Sequence, residues 1–181
     1  MLPIPMDMLL PSHKENKTMI YLRPYDSVEV NRLLSWIDSN ELLNRFAGPG
    51  FDFPLSKSQW DQHLLDASIF PYFVVDIDSD ETIGYAELVS MSNNEVKFCR
   101  LIIGDTDFRG IGLGKLLVRE LIYEALSRFN PSKITLNVYQ DNIAALKCYL
   151  SEGFKVNESV SRSSLVNGVE WKSYQMDFIP S

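Results

Sequence analysis

Residues 109 to 115, Arg109-Gly110-Ile111-Gly112-Leu113-Gly114-Lys115, set three alternate glycines between two basic side chains. Glycine lets a backbone approach a ligand closely, and free amides at the start of a following helix attract an anion such as a pyrophosphate. Counting offsets removes two familiar phosphate loops. The nucleoside-triphosphate loop G-x-x-x-x-G-K-[ST] needs glycine at 109 and a hydroxyl at 116, where Arg109 and Leu116 stand. The dinucleotide fingerprint G-x-G-x-x-G begun at Gly110 needs glycine where Lys115 is found. It also expects an acidic residue about 20 residues later; Asn130 and Pro131 stand nearby instead. What survives is R-x-x-G-x-G, carried by Arg109, Gly112 and Gly114. The plainer reading of the same residues is a glycine turn that only permits close strand–helix packing.

Three further residues have the chemistry for a site. Downstream, "NIAALKCYLSEGF" reads N-x-x-A-x-x-x-Y-x-x-x-G-F over residues 142–154. Asn142 is a helix cap by type, and Tyr149 lies two turns along the same helix. On composition alone, an aromatic on a short amphipathic helix is core. Glu87 stands in the middle of the apolar run "TIGYAELVSM", where Ile83, Tyr85, Glu87 and Val89 alternate onto one face. A charged residue in such a strand is either a general base or half of an ion pair.

These residues need elements to hold them. A strand at 18–24, a helix over 26–39, a short helix over 40–47 and a helix from Ser56 through Ser68 open the chain. Strands follow at 70–77, 82–91 and 95–104, the last running straight into the glycine loop. The loop starts a helix with Leu113, Leu117, Leu121 and Ala125 on one stripe. A strand at 132–139, the helix 142–154 and two strands near 154–164 and 169–178, joined by "VNG", complete the order. Helices and strands do not alternate strictly, so the expectation is a mixed α/β domain built on one sheet.

Bulk properties bound the partners. The 181 residues suit one domain, and 45% hydrophobic with 23% charged residues suit a globular one. Residues 1–18 are expected to be a loosely docked extension to a domain spanning 19–181. No apolar run reaches the roughly 18 residues of a membrane span. The net charge of −7 argues against a nucleic-acid binder. Residues 1–90 hold 14 acidic and 6 basic side chains, residues 91–181 hold 10 and 11. An acidic half favours a cationic partner, although a solvated surface accounts for it equally simply. Cys99 and Cys148 are too few for a disulfide framework and read as buried free thiols. His13 and His63 have no metal-ligand spacing relative to them, so no metal and a cytoplasmic setting are expected.

The loop and the Asn142…Tyr149…Gly153-Phe154 helix together resemble the two central motifs of the GNAT superfamily of acyl-coenzyme A-dependent N-acetyltransferases. The match runs over roughly residues 95–160, and the opening "LRPYDSVEVNRLLSWIDS" resembles the branch that acetylates ribosomal proteins and other small amines. The resemblance implies a single domain with a central, mostly antiparallel sheet of about seven strands, one pair splayed, flanked by helices. It implies acetyl-CoA as cosubstrate: amides of Gly110, Ile111, Gly112, Leu113, Gly114 and Lys115 on the pyrophosphate, with Arg109 beside them. The pantetheine arm would run along Ile102 and Ile103 with Asn142 bonded to it, and an amide near Ile103 would polarise the thioester carbonyl. Tyr149 takes the position of the general acid. Where many members carry a basic glutamate on the strand before the loop, this chain has Phe98, which leaves Glu87 as the candidate base. The acceptor, a small-molecule or peptide amine, would lie among Trp36, Phe46, Phe51, Phe53 and Trp171. With the acidic half it would be cationic: a polyamine, an aminoglycoside-like amine, a lysine or a peptide N-terminus. A CoA-binding regulator without activity and a transferase of longer acyl chains are the competing readings. Monomer and homodimer are both compatible with the resemblance.

Overall fold

The computed structural model describes residues 19–180; the expected extension over 1–18, with His13, lies outside the described residues. Strand β1 (Ile20–Pro24) leads through a 3₁₀ turn (Ser27–Glu29) to α1 (Val30–Trp36), α2 (Asn40–Ala47) and α3 (Lys57–His63). Then come β2 (Ile69–Asp76), β3 (Thr82–Met91), β4 (Glu95–Ile103), α4 (Leu113–Phe129), β5 (Lys133–Tyr139), α5 (Ile143–Ser151), β6 (Lys155–Val166) and β7 (Val169–Phe178).

Two expected helices are shorter than their periodicity suggests, and local capping explains both. The Asp26 carboxylate accepts from the Val28 amide at 2.9 Å and opens a 3₁₀ turn, so α1 proper spans only seven residues. A fresh cap, Ser39, then accepts from the Leu42 amide and starts α2. The helix begun at Ser56 stops at His63 because Asp66 takes both the amide and the hydroxyl of Ser68, a side-chain turn that leads into β2.

The seven strands form one sheet in the order β1-β2-β3-β4-β5-β7-β6. Every neighbouring pair is antiparallel except β4–β5, which is parallel and connected through α4. Helices α1–α3 cover one face, burying Val30, Leu33, Leu43, Phe46 and Trp60 against Phe73, Val75 and Tyr85. Helix α4 covers the other, with Leu113, Leu117, Leu121 and Ala125 against Val74, Leu88, Val96, Phe98 and Ile134. The β6–β7 hairpin closes through Asn167 and Gly168, both at positive φ, the backbone of a two-residue turn that matches strand twist.

Two irregularities shape the sheet. Between the pairs Val74↔Gly84 and Val75↔Thr82, β3 holds one extra residue, Ile83. The bulge turns Ile83 to the α4 face, away from Tyr85, with which strict alternation had grouped it. Between Tyr85↔Ile102 and Glu87↔Cys99, β4 holds one extra residue, and Arg100 there has φ of 54°. This second bulge bends β4 out of its path along β5. The parallel ladder accordingly runs only from Glu95↔Lys133 to Phe98↔Leu136, and the strands diverge beyond it.

Candidate active site

A cavity of about 640 Å³ opens where β4 and β5 part. It is lined from both faces of the sheet. Asn142, Ala145 and Tyr149 of α5 border it on the α4 side, and Arg45 to Pro49, at the end of α2, border it on the other. Between them lie Lys97, Phe98, Cys99, Arg100 and Leu101 of β4 and Leu136 to Tyr139 of β5. Past Phe98 the β5-facing edge of β4 has no ladder partner, so Ile102 and Ile103 pair with Tyr85 and Gly84 on the β3 side only. An unpaired strand edge is a row of peptide groups available to a ligand.

The glycine loop stands at the far end of this edge. Gly110 and Gly112 have φ of 78° and 90°, and a side chain added at either would meet nothing within 4 Å. They are therefore glycine for backbone conformation and for an open approach, not for packing. Gly112 is the N-cap of the 17-residue α4 and offers no side-chain bond to its first turn. The Lys115 amide donates to the Gly112 carbonyl at 3.1 Å; the other amides of this turn, at the positive end of a long helix and beside the open space at Gly110 and Gly112, fit a pyrophosphate. Arg109 is used differently: its Nε and Nη2 donate to the carbonyls of Ile103 and Gly104, both at 3.0 Å. The guanidinium clamps the loop to the end of β4. At the same junction a Cβ on Gly104 would sit 1.9 Å from the Trp36 ring, so only glycine lets α1 close over the strand end.

On α5, the Asn142 side-chain oxygen accepts from the Ala145 amide at 3.2 Å, which caps the helix and leaves its nitrogen for a ligand. Tyr149 is half-buried and packs against Phe154 at 6.0 Å between ring centroids. Burial pushes its phenol well above the ordinary tyrosine value, with the adjacent Cys148 thiol adding to the effect. A phenol so placed keeps its proton at neutral pH, the form a general acid needs.

Glu87 is brought near the cavity but not into its wall. It is fully buried, and three donors converge on it: His63 Nε2 and Tyr85 Oη on Oε1, both at 2.9 Å, and Arg100 Nη1 on Oε2 at 2.7 Å. Arg100 is the member of that cluster that reaches the cavity. Of the aromatics expected around an acceptor, Phe46 lines the cavity. Phe51 packs on Trp60 and His63 and lies 5.6 Å under the Arg100 guanidinium. Trp171 stacks edge-on against Tyr139, with Arg45 4.7 Å above it. Trp36 lies against Gly104, and Phe53 is an exposed loop residue.

Sequence reading missed the cations of the wall: Arg45, Lys97, Arg100 and Arg162. Lys97 had a usable signal, since it alternates with Val96 and Phe98, both of which face α4. Arg45 and Arg162 had none, because they reach the cavity through helix and hairpin placement. Both cysteines are free and half-buried, and burial pushes both thiols up. Among the described residues no cluster of His, Cys, Asp and Glu could hold a metal ion.

Comparison with known proteins agrees with this geometry. Residues 36–154 match the model of the acetyltransferase (GNAT) family. An N-acetyltransferase 9-like protein of Nematostella vectensis is 25% identical over 152 residues, covering 77% of each chain. A spermidine N-acetyltransferase from Vibrio cholerae, in complex with CoA and spermine, superposes with a TM-score of 0.75. It is 20% identical over 89% of this chain and 95% of its own. AAC(6′)-Ib in complex with paromomycin and acetyl-CoA gives a TM-score of 0.69 at 18% identity, over 89% and 93% of the two chains. With the splayed strands, the open loop at α4 and the capped α5 in place, the chain belongs to the acetyltransferase (GNAT) family and is an acetyl-CoA-dependent N-acetyltransferase.

Proposed function

We propose that acetyl transfer to a primary amine takes place by direct attack within the cavity between β4 and β5, and that the amine is a peptide N-terminus. The observation that carries the reading is the continuity of that cavity from Asn142 and Tyr149 on one face to Arg45 and Arg162 on the other. Acetyl-CoA supplies the acetyl group as a thioester, so that a C–N bond replaces a C–S bond and one proton passes from nitrogen to sulfur. The amides of Gly110 to Gly114 and the ammonium of Lys115 at the start of α4 would hold its pyrophosphate, and Asn142 and the free edge at Ile102–Ile103 its arm. An edge amide near Ile103 would stabilise negative charge on the carbonyl oxygen. Tyr149 Oη gives its proton to the departing sulfur. A thiol (about 8.5) is a stronger acid than a phenol (about 10), so the transfer is uphill on its own and is completed as the phenolate regains the proton released from the amine nitrogen.

Glu87 is assigned to position Arg100, because its oxygens are already occupied by three donors. The acceptor's proton leaves by another route, to water in the cavity.

The acidic first half of the chain suggested a cationic acceptor. Among the described residues none of its carboxylates lines the cavity, and Glu29 pairs with Arg23, Asp61 with Lys57 and Glu41 with Arg45. The Vibrio cholerae neighbour was captured with spermine, and AAC(6′)-Ib with paromomycin, both rich in amines. A wall whose charged side chains are all cationic suits the amine least protonated at neutral pH, which among the amines considered is a peptide N-terminus, at about 7.7–8.0 against about 10.4 for lysine.

Cytoplasmic location and a monomer or homodimer belong to the same reading. Two free thiols support the former, and among the described residues no helix is long and apolar enough to cross a membrane.

The test is thiol release from acetyl-CoA against a panel of peptides, spermidine and an aminoglycoside, with the acetylated product identified by mass spectrometry. N-terminal acetylation of a peptide is expected; acetylation of spermidine alone would overturn the choice of acceptor.

A further inference from the structure

The chain carries 24 acidic and 17 basic residues, yet the charged residues lining the cavity are Arg45, Lys97, Arg100 and Arg162, with no aspartate or glutamate among them. Two of the four are neutralised from behind. Arg45 is held bidentate by Asp141 at 3.0 and 2.8 Å and also by Glu41, and Arg100 is held by Glu87. The other two have no carboxylate partner among the described residues. Lys97 Nζ donates to the Asn137 amide oxygen at 3.1 Å, with that amide turned to satisfy both groups, and Arg162 Nη2 reaches Gln175 Oε1 at 3.3 Å. Both neighbours are neutral, so two full positive charges face the cavity uncompensated. Their placement is not accidental to the fold. Lys97 lies on β4 just before the strands part, and Arg162 pairs with Ser173, which in turn pairs with Tyr139 at the end of β5. Hydroxyls of Ser163, Ser164 and Ser173 extend the polar wall beside Arg162.

We propose that the acceptor is a primary amine whose own molecule carries a carboxylate close to that amine, as in a peptide beginning with aspartate or glutamate, and that Lys97 and Arg162 receive the carboxylate. This rests on the peptide-amine reading above and narrows it to one charge class. The same charges help the chemistry. An ammonium entering a cationic wall is disfavoured relative to the neutral amine, and only the neutral amine has a lone pair for attack. The acceptor's carboxylate restores the binding that the amine's own charge would lose. A chain without a free carboxylate in its cavity wall thereby still presents a deprotonated nucleophile. The reaction is unchanged: the amine nitrogen bonds the acetyl carbon, the thioester bond breaks, and the proton lost from nitrogen is matched by one gained at sulfur.

The experiment compares kcat/KM for thiol release with peptides identical except for a first residue of Asp, Glu, Ala or Lys, with free aspartate and spermidine as further arms. The acidic peptides should exceed the Ala peptide by about tenfold, the low end of the worth of a close charge pair across an interface, and the margin should shrink as salt is raised. Preference for free aspartate over the acidic peptides would place the recognised carboxylate on a small amino acid and keep the charge rule. Lys97→Met and Arg162→Gln should each cut the acidic preference severalfold, and Arg162→Glu should shift it toward the Lys peptide. Arg162 is an exposed residue of the edge strand, so folding of its variants is not in question. A wild-type preference for spermidine or the Lys peptide would overturn the proposal, as would an acidic preference that both neutral variants retain. Absence of thiol release with every amine would overturn the transfer reading on which it stands.

Discussion

Tyr149 and Asn142 sit seven residues apart on one helix, so a single short element carries both the cap that can bond a cofactor arm and the phenol that can give a proton. Tyr149→Phe keeps the ring packing on Phe154 and removes only the hydroxyl. Its kcat should fall by about 10- to 1000-fold, the lower part of the usual range of acid catalysis and below it because a thiolate is a good leaving group, with acetyl-CoA affinity unchanged; an unchanged kcat would reduce Tyr149 to a packing role. Because burial raises the phenol above its usual value of about 10, its deprotonation should not limit kcat below that pH. Glu87 makes the opposite argument. As a positioning residue, Glu87→Gln should leave the acidic limb of the pH–rate profile in place while the KM for the acceptor rises. Weakening a buried cluster of three bonds should also cost about 3 kcal/mol of stability, read from urea unfolding. A shifted acidic limb would restore Glu87 as the base.

Among the elements, the turn into α4 is where conformation and binding are hardest to separate. Gly112 has φ of 90° with nothing in the way of a side chain, so Gly112→Ala meets backbone strain of about 1–2 kcal/mol and no clash. The amides should then drift from their alignment, and acetyl-CoA affinity measured by calorimetry should weaken severalfold while kcat at saturation stays near wild type. Strands β3 and β7 and the hairpin at Asn167-Gly168 were legible in the sequence because alternation and turn chemistry act locally. The glycine loop and the α5 cap were legible for the same reason. The β4 bulge was not, since nothing about arginine announces a left-handed residue; Arg100 adopts it only because β3 and β5 pull β4 along different paths. The cationic wall was hidden by the same kind of cause. Its members come from α2, β4 and β6, which meet only after the sheet has formed.

For the whole molecule, several phenols are buried on folding and should make it sensitive to base. Burial raises Tyr25 to about 12, and burial with the Glu124 bond raises Tyr72 to about 12. Tyr85, buried and beside the Glu87 carboxylate to which it is bonded, is also raised well above the ordinary tyrosine value. In each case the folded state holds its proton longer than the unfolded chain does. Stability from these groups is therefore complete below about pH 10 and is lost as the pH climbs through the folded values. The urea midpoint should be level from pH 8 to about 10 and fall steeply beyond it; a level midpoint to pH 12 would contradict the burial of these hydroxyls.

The parting of β4 from β5 also divides the sheet into two panels, β1 to β4 and β5-β7-β6, which share a seam of four register pairs, Glu95↔Lys133 to Phe98↔Leu136. A seam that short makes the panels separable units of opening. Whatever fills the wedge acts as the missing rungs of the ladder. Bound CoA should therefore slow amide hydrogen exchange most along β5 and β7, on the far side of that seam from the glycine loop, and so join the two panels into one cooperative body.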